Sequence, residues 1–244
     1  MNTDDSPVHG QPISVLIHGA SGRMGQALLR LAADDDSISI VAAVSQGVGQ
    51  RVVDGIPQFS ANELENVPSF DVAIDFSMPM AFGGMIALCV NRSAPLVCGT
   101  TGLDDAQKSE LADASTHIAT LWSSNFSLGV AVLTALAEHA ARALPGWDCN
   151  ILESHHKNKL DSPSGTALSL GLAVKHGGAT PRYASLRAGD IVGEHTIQFT
   201  TTGERIELIH RAGNRDIFAR GALHAAVQLV GRAPGAYQLA DLIG

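Results

Sequence analysis

The chain has few cysteines, and their scarcity argues against two kinds of protein. Only three of its 244 residues are cysteines (Cys89, Cys98 and Cys149), and no two of them have the C-x-x-C spacing. An odd number of scattered cysteines predicts neither a disulfide framework nor a zinc site. The sequence therefore favours a protein of the reducing cytoplasm that binds no metal.

Long apolar runs and basic runs are also missing. No stretch approaches the roughly 20 apolar residues that a membrane-spanning helix needs. The first dozen residues are polar and acidic, without the apolar core of a signal peptide, so we expect a flexible tail at residues 1–12. The net charge of −8 predicts binding neither to nucleic acid nor to a membrane surface. An anionic ligand would have to be held by local positive groups.

Apolar residues, by contrast, are plentiful, at 45% of the chain. In the first half they form short strand-like runs that alternate with helical patterns. The runs are residues 13–18, 38–44, 71–76, 95–98 and 118–122. This alternation predicts an α/β fold with a Rossmann-type doubly wound parallel sheet, whose ligands bind at the carboxyl ends of the strands.

The first of these runs ends in a glycine-rich turn, residues 19–25, with the spacing G-x-x-G-x-x-G. Between a strand and a helix, this variant of the dinucleotide fingerprint lets the backbone approach a pyrophosphate. A glycine turn without a ligand is the alternative. The acidic residue that often binds the ribose of NAD is replaced by Ser45, so the sequence leaves the choice between NADH and NADPH open.

The second half changes character after a long apolar helix at residues 127–144. A strand at 150–153 and one helix at 165–176 are followed by three strand-like runs without intervening helices, at 183–187, 195–201 and 205–209. These runs predict a smaller α+β domain with an open mixed sheet, one face of which would need cover. We therefore expect a homo-oligomer built through this sheet.

A helical pattern from residue 216 onward is expected to return to the nucleotide domain. The predicted domains are thus residues 13–126, completed by 216–244, for dinucleotide binding and 127–215 for substrate binding and oligomerisation.

Residues 153–167 (ESHHKNKLDSPSGTA) concentrate titratable groups beside a predicted helix start. His155 and His156 are adjacent at a strand end, so they point to opposite sides, and only one is expected to be an acid or base. Lys159 can reach the same pocket, and the hydroxyl and N–H groups of residues 162–166 suit a carboxylate. A polar surface loop is the alternative. Two adjacent histidines do not predict a metal site.

These residues resemble the dihydrodipicolinate reductase (4-hydroxy-tetrahydrodipicolinate reductase) family, whose signature E-x-H-H-x-x-K-x-D-x-P-S-G-T-A they match throughout. Shorter motifs of that family recur along the chain. They are G-R-M-G at 22–25, D-F-S at 75–77, G-T-T-G at 99–102, N-F-S at 125–127 and R-A-G-D-I-V-G-E-H-T at 187–196.

The resemblance implies NAD(P)H-dependent reduction of 4-hydroxy-tetrahydrodipicolinate, via dihydrodipicolinate, to tetrahydrodipicolinate in diaminopimelate and lysine biosynthesis. By motif, His155 would be the acid/base and Lys159 the proton donor, while His156, Lys159, Ser164, Gly165 and Thr166 would hold the carboxylates of the substrate. The cofactor would be contacted by residues of several turns. They are Gly19, Ala20, Ser21, Gly22, Arg23, Met24, Ser45, Gly99, Thr100, Thr101, Ser123, Ser124, Asn125 and Phe126. A cytoplasmic homotetramer is expected.

Two other functions remain possible from the residues themselves. A semialdehyde dehydrogenase would need a thiol nucleophile, and none of the three cysteines lies in a suitable turn. A redox sensor would bind NAD(P)H without chemistry and would have no use for His155 and Lys159.

Overall fold

The computed structural model describes residues 11–47 and 51–243, so the predicted tail lies almost entirely outside the described residues. The elements, in chain order, are β1 (Ile13–His18), α1 (Arg23–Ala32), β2 (Ile38–Ser45), β3 (Val52–Val53), β4 (Ile56–Ser60), β5 (Val72–Asp75), α2 (Pro79–Arg92), β6 (Leu96–Cys98), α3 (Asp105–Ala114), β7 (Ala119–Trp122), α4 (Leu128–Ala143), β8 (Asp148–His155), α5 (Gly165–His176), β9 (Pro181–Arg187), β10 (Gly193–Thr201), β11 (Glu204–Ala212), α6 (Asp216–Leu229) and β12 (Gly235–Tyr237). Short 3₁₀ turns lie at Leu64–Asn66 and Leu239–Leu242.

The described chain forms two compact units. Unit 1 runs to Ser124 and resumes over Ala219–Leu242, while Asn125–Phe218 forms unit 2. None of the helices in the described residues has the length and apolar character needed to cross a membrane.

Unit 1 is built on an eight-stranded sheet in the order β12-β7-β6-β5-β1-β2-β4-β3. All neighbours are parallel except the short β3–β4 pair. The Rossmann-type sheet predicted from the alternating pattern is therefore confirmed. Because β1 lies between β2 and β5, the strand order reverses there, and the carboxyl ends of these strands border a crevice.

Burial on both faces explains the continuous apolar strands of unit 1. All four residues of β5 are buried, and Leu16, Phe82 and Leu96 are among the core side chains that helices and neighbouring strands cover. Three strands were not predicted: β3, β4 and β12. They are short, and β4 (IPQFS) shows neither alternation nor a continuous apolar run, so only its neighbours determine its conformation.

Unit 2 contains a four-stranded mixed sheet in the order β11-β10-β8-β9, in which only β8 and β9 run parallel. The predicted mixed sheet is confirmed. Helices α4 and α5 share a core with one face of the sheet, through side chains such as Leu133, Leu170, Ile151 and Phe199. Alternation along β8 turns every second residue, from Cys149 to His155, toward this covered face.

Candidate active site

A row of polar side chains crosses the covered face of the sheet of unit 2. Strand register places Glu153 of β8 opposite His195 of β10, and His195 opposite His210 of β11. His155 follows Glu153 on the same face. Glu153, His155 and His195 are all buried, with exposed fractions of 2, 7 and 4%. So many buried titratable groups at one strand end point to a functional site rather than to core packing. We call Glu153, His155, His195 and His210 the polar row.

Two helices begin beside this row, each with a serine as its N-cap. Ser164 caps α5, and its Oγ lies 3.4 Å from His195 Nε2. Ser127 caps α4, and its Oγ lies 3.3 Å from His210 Nε2. Helix N-termini carry partial positive charge and N–H groups without helical partners, so this end of unit 2 favours an anion.

Glu153 is the most heavily bonded member of the row. Arg187, at the end of β9, donates to it through Nη2 to Oε1 at 2.7 Å and through Nη1 to Oε2 at 2.9 Å. The Ser164 N–H donates to Oε1 at 3.3 Å, and His155 Nδ1 makes a hydrogen bond to Oε2. Burial raises the pKa of Glu153, but hydrogen bonds from Arg187, Ser185 and His155 outweigh it and lower this pKa to about 2.

The histidines of the row have lowered pKa values. Burial lowers the pKa of His155, against the opposing effect of Glu153, and burial also lowers that of His210. Burial, together with His155 and His210 as neighbours, lowers the pKa of His195 to about 4. His195 is therefore neutral at physiological pH and can act there only as a neutral hydrogen-bonding group.

The other predicted substrate residues follow the row along the chain. His156 is half-buried, directly after β8. The Lys159 ammonium lies 2.8 Å from the Asp161 carboxylate, and this hydrogen bond is the main cause of the lowered pKa of Asp161. Ser164 is buried, Gly165 is exposed, and Thr166 Oγ1 accepts a hydrogen bond from Asn125 Nδ2 at 3.0 Å. Unit 2 thus brings these residues and the polar row into one region.

Unit 1 holds a cavity of about 470 Å³ at the carboxyl ends of β1, β2 and β5. Four of the predicted cofactor residues line it: Gly19, Ser21, Gly22 and Ser45. Its described lining contains no Asp, Glu, Lys or Arg. The Ser21 N–H donates to Ser45 Oγ at 3.1 Å, which ties the glycine turn to the end of β2.

The glycine turn suits a pyrophosphate for two reasons. Gly19 has φ = +80°, and a Cβ there would lie 2.4 Å from the Phe76 carbonyl oxygen, so only glycine fits. Gly22 is the N-cap of α1 and provides no side-chain cap, and the first turn of the helix has no acidic residue. The N-terminal N–H groups of α1 therefore have no capping side chain, unlike those of α3, α4 and α5.

The remaining predicted cofactor residues lie outside the lining of that cavity, and Ala20 lines a neighbouring cavity of about 590 Å³ instead. Arg23 and Met24 begin α1, and Arg23 is exposed. A Cβ on Gly99 would meet the Phe76 ring, and the Thr100 hydroxyl donates to Asp75 Oδ2 at 3.0 Å. Thr101 is exposed. Ser123 and Ser124 are the last residues of the first segment of unit 1, whereas Asn125 and Phe126 belong to unit 2.

Sequence reasoning assigned no role to several residues that the structure brings together. In unit 2 these are Glu153, Arg187, His195, His210 and Ser127. Alternation along β8 gave a usable signal for Glu153, because residues i and i+2 share a face. In unit 1, buried His18 and Asp75 were missed; His18 Nδ1 lies 2.9 Å from Asp75 Oδ1.

The three cysteines are free and buried, which argues against a thiol nucleophile. Burial raises the pKa of Cys149 to about 11, that of Cys98 to about 12 and that of Cys89 further still. Buried thiols with such pKa values do not attack substrates. Among the described residues, no group of three or more His, Cys, Asp or Glu side chains could hold a metal ion.

Comparison with solved structures supports the same fold. Dipicolinate-bound dihydrodipicolinate reductase from Paenisporosarcina sp. TG-14 superposes with a TM-score of 0.82 and 22% identity, over 93% of this chain and 98% of that one. A myo-inositol dehydrogenase from Corynebacterium glutamicum ATCC 13032 gives a TM-score of 0.61 at 12% identity, over 92% of this chain and 90% of that one.

Comparison with sequences identifies the family. The 4-hydroxy-tetrahydrodipicolinate reductases of Xanthomonas axonopodis pv. citri (strain 306) and Xylella fastidiosa (strain 9a5c) are 65% and 60% identical to this chain, each over 95% of this chain and 98% of the relative. The family described as "Dihydrodipicolinate reductase, N-terminus" matches residues 13–126, and the one described as "Dihydrodipicolinate reductase, C-terminus" matches 129–243. The chain therefore belongs to the dihydrodipicolinate reductase family of NAD(P)H-dependent oxidoreductases.

Proposed function

We propose that this chain reduces 4-hydroxy-tetrahydrodipicolinate, by way of dihydrodipicolinate, to tetrahydrodipicolinate, and that unit 2 carries the substrate site. The observation that carries the proposal is the polar row beside the N-termini of α4 and α5, next to Lys159. A dicarboxylate bound here is in keeping with the dipicolinate in the Paenisporosarcina reductase.

The substrate carboxylates are held by His156, Lys159 and the turn Ser164–Gly165–Thr166. Gly165 is exposed, and a Cβ there would have no atom within 4 Å, so the backbone at the start of α5 is open to a ligand. The Thr166 hydroxyl accepts from Asn125, which leaves its own proton for a carboxylate oxygen. Several hydrogen-bond donors within one turn suit a carboxylate, which accepts up to four hydrogen bonds.

His155 and Lys159 carry out the proton transfers of the reaction. A bound NAD(P)H supplies the hydride that adds to C4 of the substrate. Hydride addition leaves an enamine-like carbanion on the ring, and the Lys159 ammonium stabilises this charge and donates the proton that quenches it. His155 serves as the acid/base through Nε2, because Nδ1 is engaged by Glu153.

The cofactor binds unit 1 at the glycine turn, with residues 19–24 around the pyrophosphate. The uncapped α1 N-terminus and the adjacent cavity of about 470 Å³ support this assignment. Thr100, Thr101, Ser123, Ser124, Asn125 and Phe126 are the further contacts. Ser45 provides no charge to repel a 2′-phosphate, so we propose that both NADH and NADPH serve as reductants.

We further propose that the protein is a cytoplasmic homotetramer. Three free, buried cysteines suit a reducing compartment. On the face of the unit 2 sheet opposite α4 and α5, Leu152, Leu186 and Ile209 are exposed by 37, 56 and 44%. Apolar side chains on one open sheet face are typical of a surface that another subunit covers.

One assay tests the reaction. Oxidation of NADH and of NADPH should be followed with the freshly prepared condensation product of pyruvate and aspartate semialdehyde. We expect turnover with both cofactors. A protein that oxidises neither NADH nor NADPH in this assay would refute the proposed reaction.

Two substitutions test the proton-transfer roles. His155→Ala and Lys159→Ala should each lower kcat by at least about 100-fold, as expected for loss of an acid/base group. Lys157→Ala is the matched control, since Lys157 is exposed and two residues from Lys159; its kcat should stay within about threefold of the wild-type value. Unchanged kcat in the His155 and Lys159 variants would contradict these roles.

A further inference from the structure

Two neighbouring side chains of β8 form a buried acid–histidine pair. Glu153 and His155 are two residues apart on one strand, so both point to the covered face of the sheet. Their side chains meet through Nδ1 of the imidazole and Oε2 of the carboxylate. A carboxylate can only accept a hydrogen bond, so Nδ1 is the donor.

The carboxylate of Glu153 is fixed on every side. The parallel pairing of β8 with β9 brings Arg187 to this strand end, where its guanidinium binds both carboxylate oxygens at 2.7 and 2.9 Å. Arg187 is itself held by the Asp161 carbonyl oxygen, 2.6 Å from Nη2. With the Ser164 N–H on Oε1, each oxygen of Glu153 accepts two hydrogen bonds. Such a carboxylate stays charged and has no freedom to rotate.

The far nitrogen of His155 faces a space that a glycine keeps open. A Cβ on Gly193 would lie 3.1 Å from His155 Nε2, which is too close for an unstrained contact. On another side, the ring of His195 packs edge-on at 5.2 Å between centroids. Nδ1 is thus bound by Glu153, whereas the missing side chain of Gly193 leaves room beside Nε2.

We propose that Glu153, locked by Arg187, is the positioning residue that keeps the Nδ1 proton on His155 and presents Nε2 to the substrate. The inference rests on the proposed acid/base role of His155 and extends it to two residues outside the predicted site. Arg187 acts here through Glu153, because both of its terminal nitrogens donate to that carboxylate.

The tautomer can be measured without substrate. In ¹⁵N-histidine-labelled wild-type protein, the NMR signals of His155, assigned by their loss in His155→Gln, should show the neutral ring protonated at Nδ1. In Glu153→Gln this preference should weaken. A neutral wild-type ring protonated at Nε2 would overturn the inference, even if the reductase activity proved absent.

The kinetic test separates positioning from substrate binding. Glu153→Gln should lower kcat by about 10- to 100-fold and change KM for the dicarboxylate substrate by less than about threefold. Because Glu153 raises the pKa of His155, its loss should move the His155 limb of the pH–kcat profile to lower pH. Arg187→Lys, which keeps the charge but cannot form the fork, should give a smaller loss in the same direction.

Glu207→Gln is the control, since Glu207 lies on β11 outside the polar row; its kcat and pH profile should match those of the wild type. A Glu153→Gln protein with wild-type kcat and an unmoved limb would overturn the inference. An inactive wild-type protein would instead count against the proposed function. The positioning role would then be tested by the tautomer measurement alone.

Discussion

Ser45 shows how much one residue can decide about the cofactor. Its Oγ accepts the Ser21 N–H, and Ser45 lines both the cavity of about 470 Å³ and a neighbouring one of about 590 Å³, whose lining includes Arg30 and Asp34. An aspartate at this position could accept the same hydrogen bond, but it would place a negative charge beside the proposed site of the 2′-phosphate of NADPH.

We therefore expect Ser45→Asp to raise KM for NADPH by at least about tenfold while KM for NADH changes by less than about threefold. Ser45→Asn, of similar size and without charge, is the matched control and should preserve the use of both cofactors. The check is the ratio of kcat/KM values for NADH and NADPH in the three proteins. Equal losses with both cofactors would contradict the proposed cofactor site.

The residues proposed for catalysis and substrate binding were the easiest to select from the sequence, whereas the residues that contact them were not. His155, Lys159 and Ser164 stand out because a dense signature surrounds them in sequence. Arg187, His195 and His210 lie 32 to 55 positions beyond His155 and reach the polar row only through strand register. Register depends on the whole sheet, so local reading of the sequence cannot supply these partners.

At the scale of elements, α5 contains a glycine that helix propensity alone does not explain. A Cβ on Gly171 would lie 1.8 Å from Tyr183 Oη, so glycine permits β9 to approach the helix. Gly83, inside α2, is different, since a Cβ there would make only an ordinary contact with Glu110, at 3.5 Å.

Gly171→Ala should therefore lower the free energy of unfolding by about 1–3 kcal/mol through overpacking. Gly83→Ala, the matched control, should raise it by roughly 0.5–1 kcal/mol, because alanine favours a helix interior. Urea unfolding measures both effects. In a Tyr183→Phe background the cost of Gly171→Ala should shrink; an undiminished cost would show that Tyr183 is not the obstacle.

Long elements were predictable because their patterns are local. Helix α5 was expected at residues 165–176 and occurs as Gly165–His176, with Ser164 as its N-cap. The start of α1 was less clear, since the helix begins at Arg23, inside the glycine turn. Glycines lower helix propensity there, whereas the geometry of the turn favours the helix.

For the whole molecule, the proposed assembly gives a direct test. Leu152, Leu186 and Ile209 lie on the open face of the unit 2 sheet, and Leu172 is an exposed apolar residue on α5 instead. Sedimentation of the wild type should give a multiple of the monomer mass. The double variant Leu152→Lys and Ile209→Lys should shift the mass toward the monomer, because buried unpaired charges oppose association.

Leu172→Lys is the control and should leave the mass unchanged. A monomeric wild type would refute the assembly. A lower assembly mass in Leu172→Lys alone would show that the subunits associate through the helices and not through the sheet.

The pairing of β12 with β7 has a consequence for synthesis on the ribosome. Thr120 of β7 hydrogen-bonds Gly235, 115 residues further along the chain. All of unit 2 is therefore translated before β12, and during that time the side of β7 that later pairs with β12 has no neighbouring strand. Until β12 emerges, the nascent chain exposes backbone groups that can pair with other strands. The last short strand of the described chain thus covers β7 and becomes the edge strand of a sheet whose first strand was made at the outset.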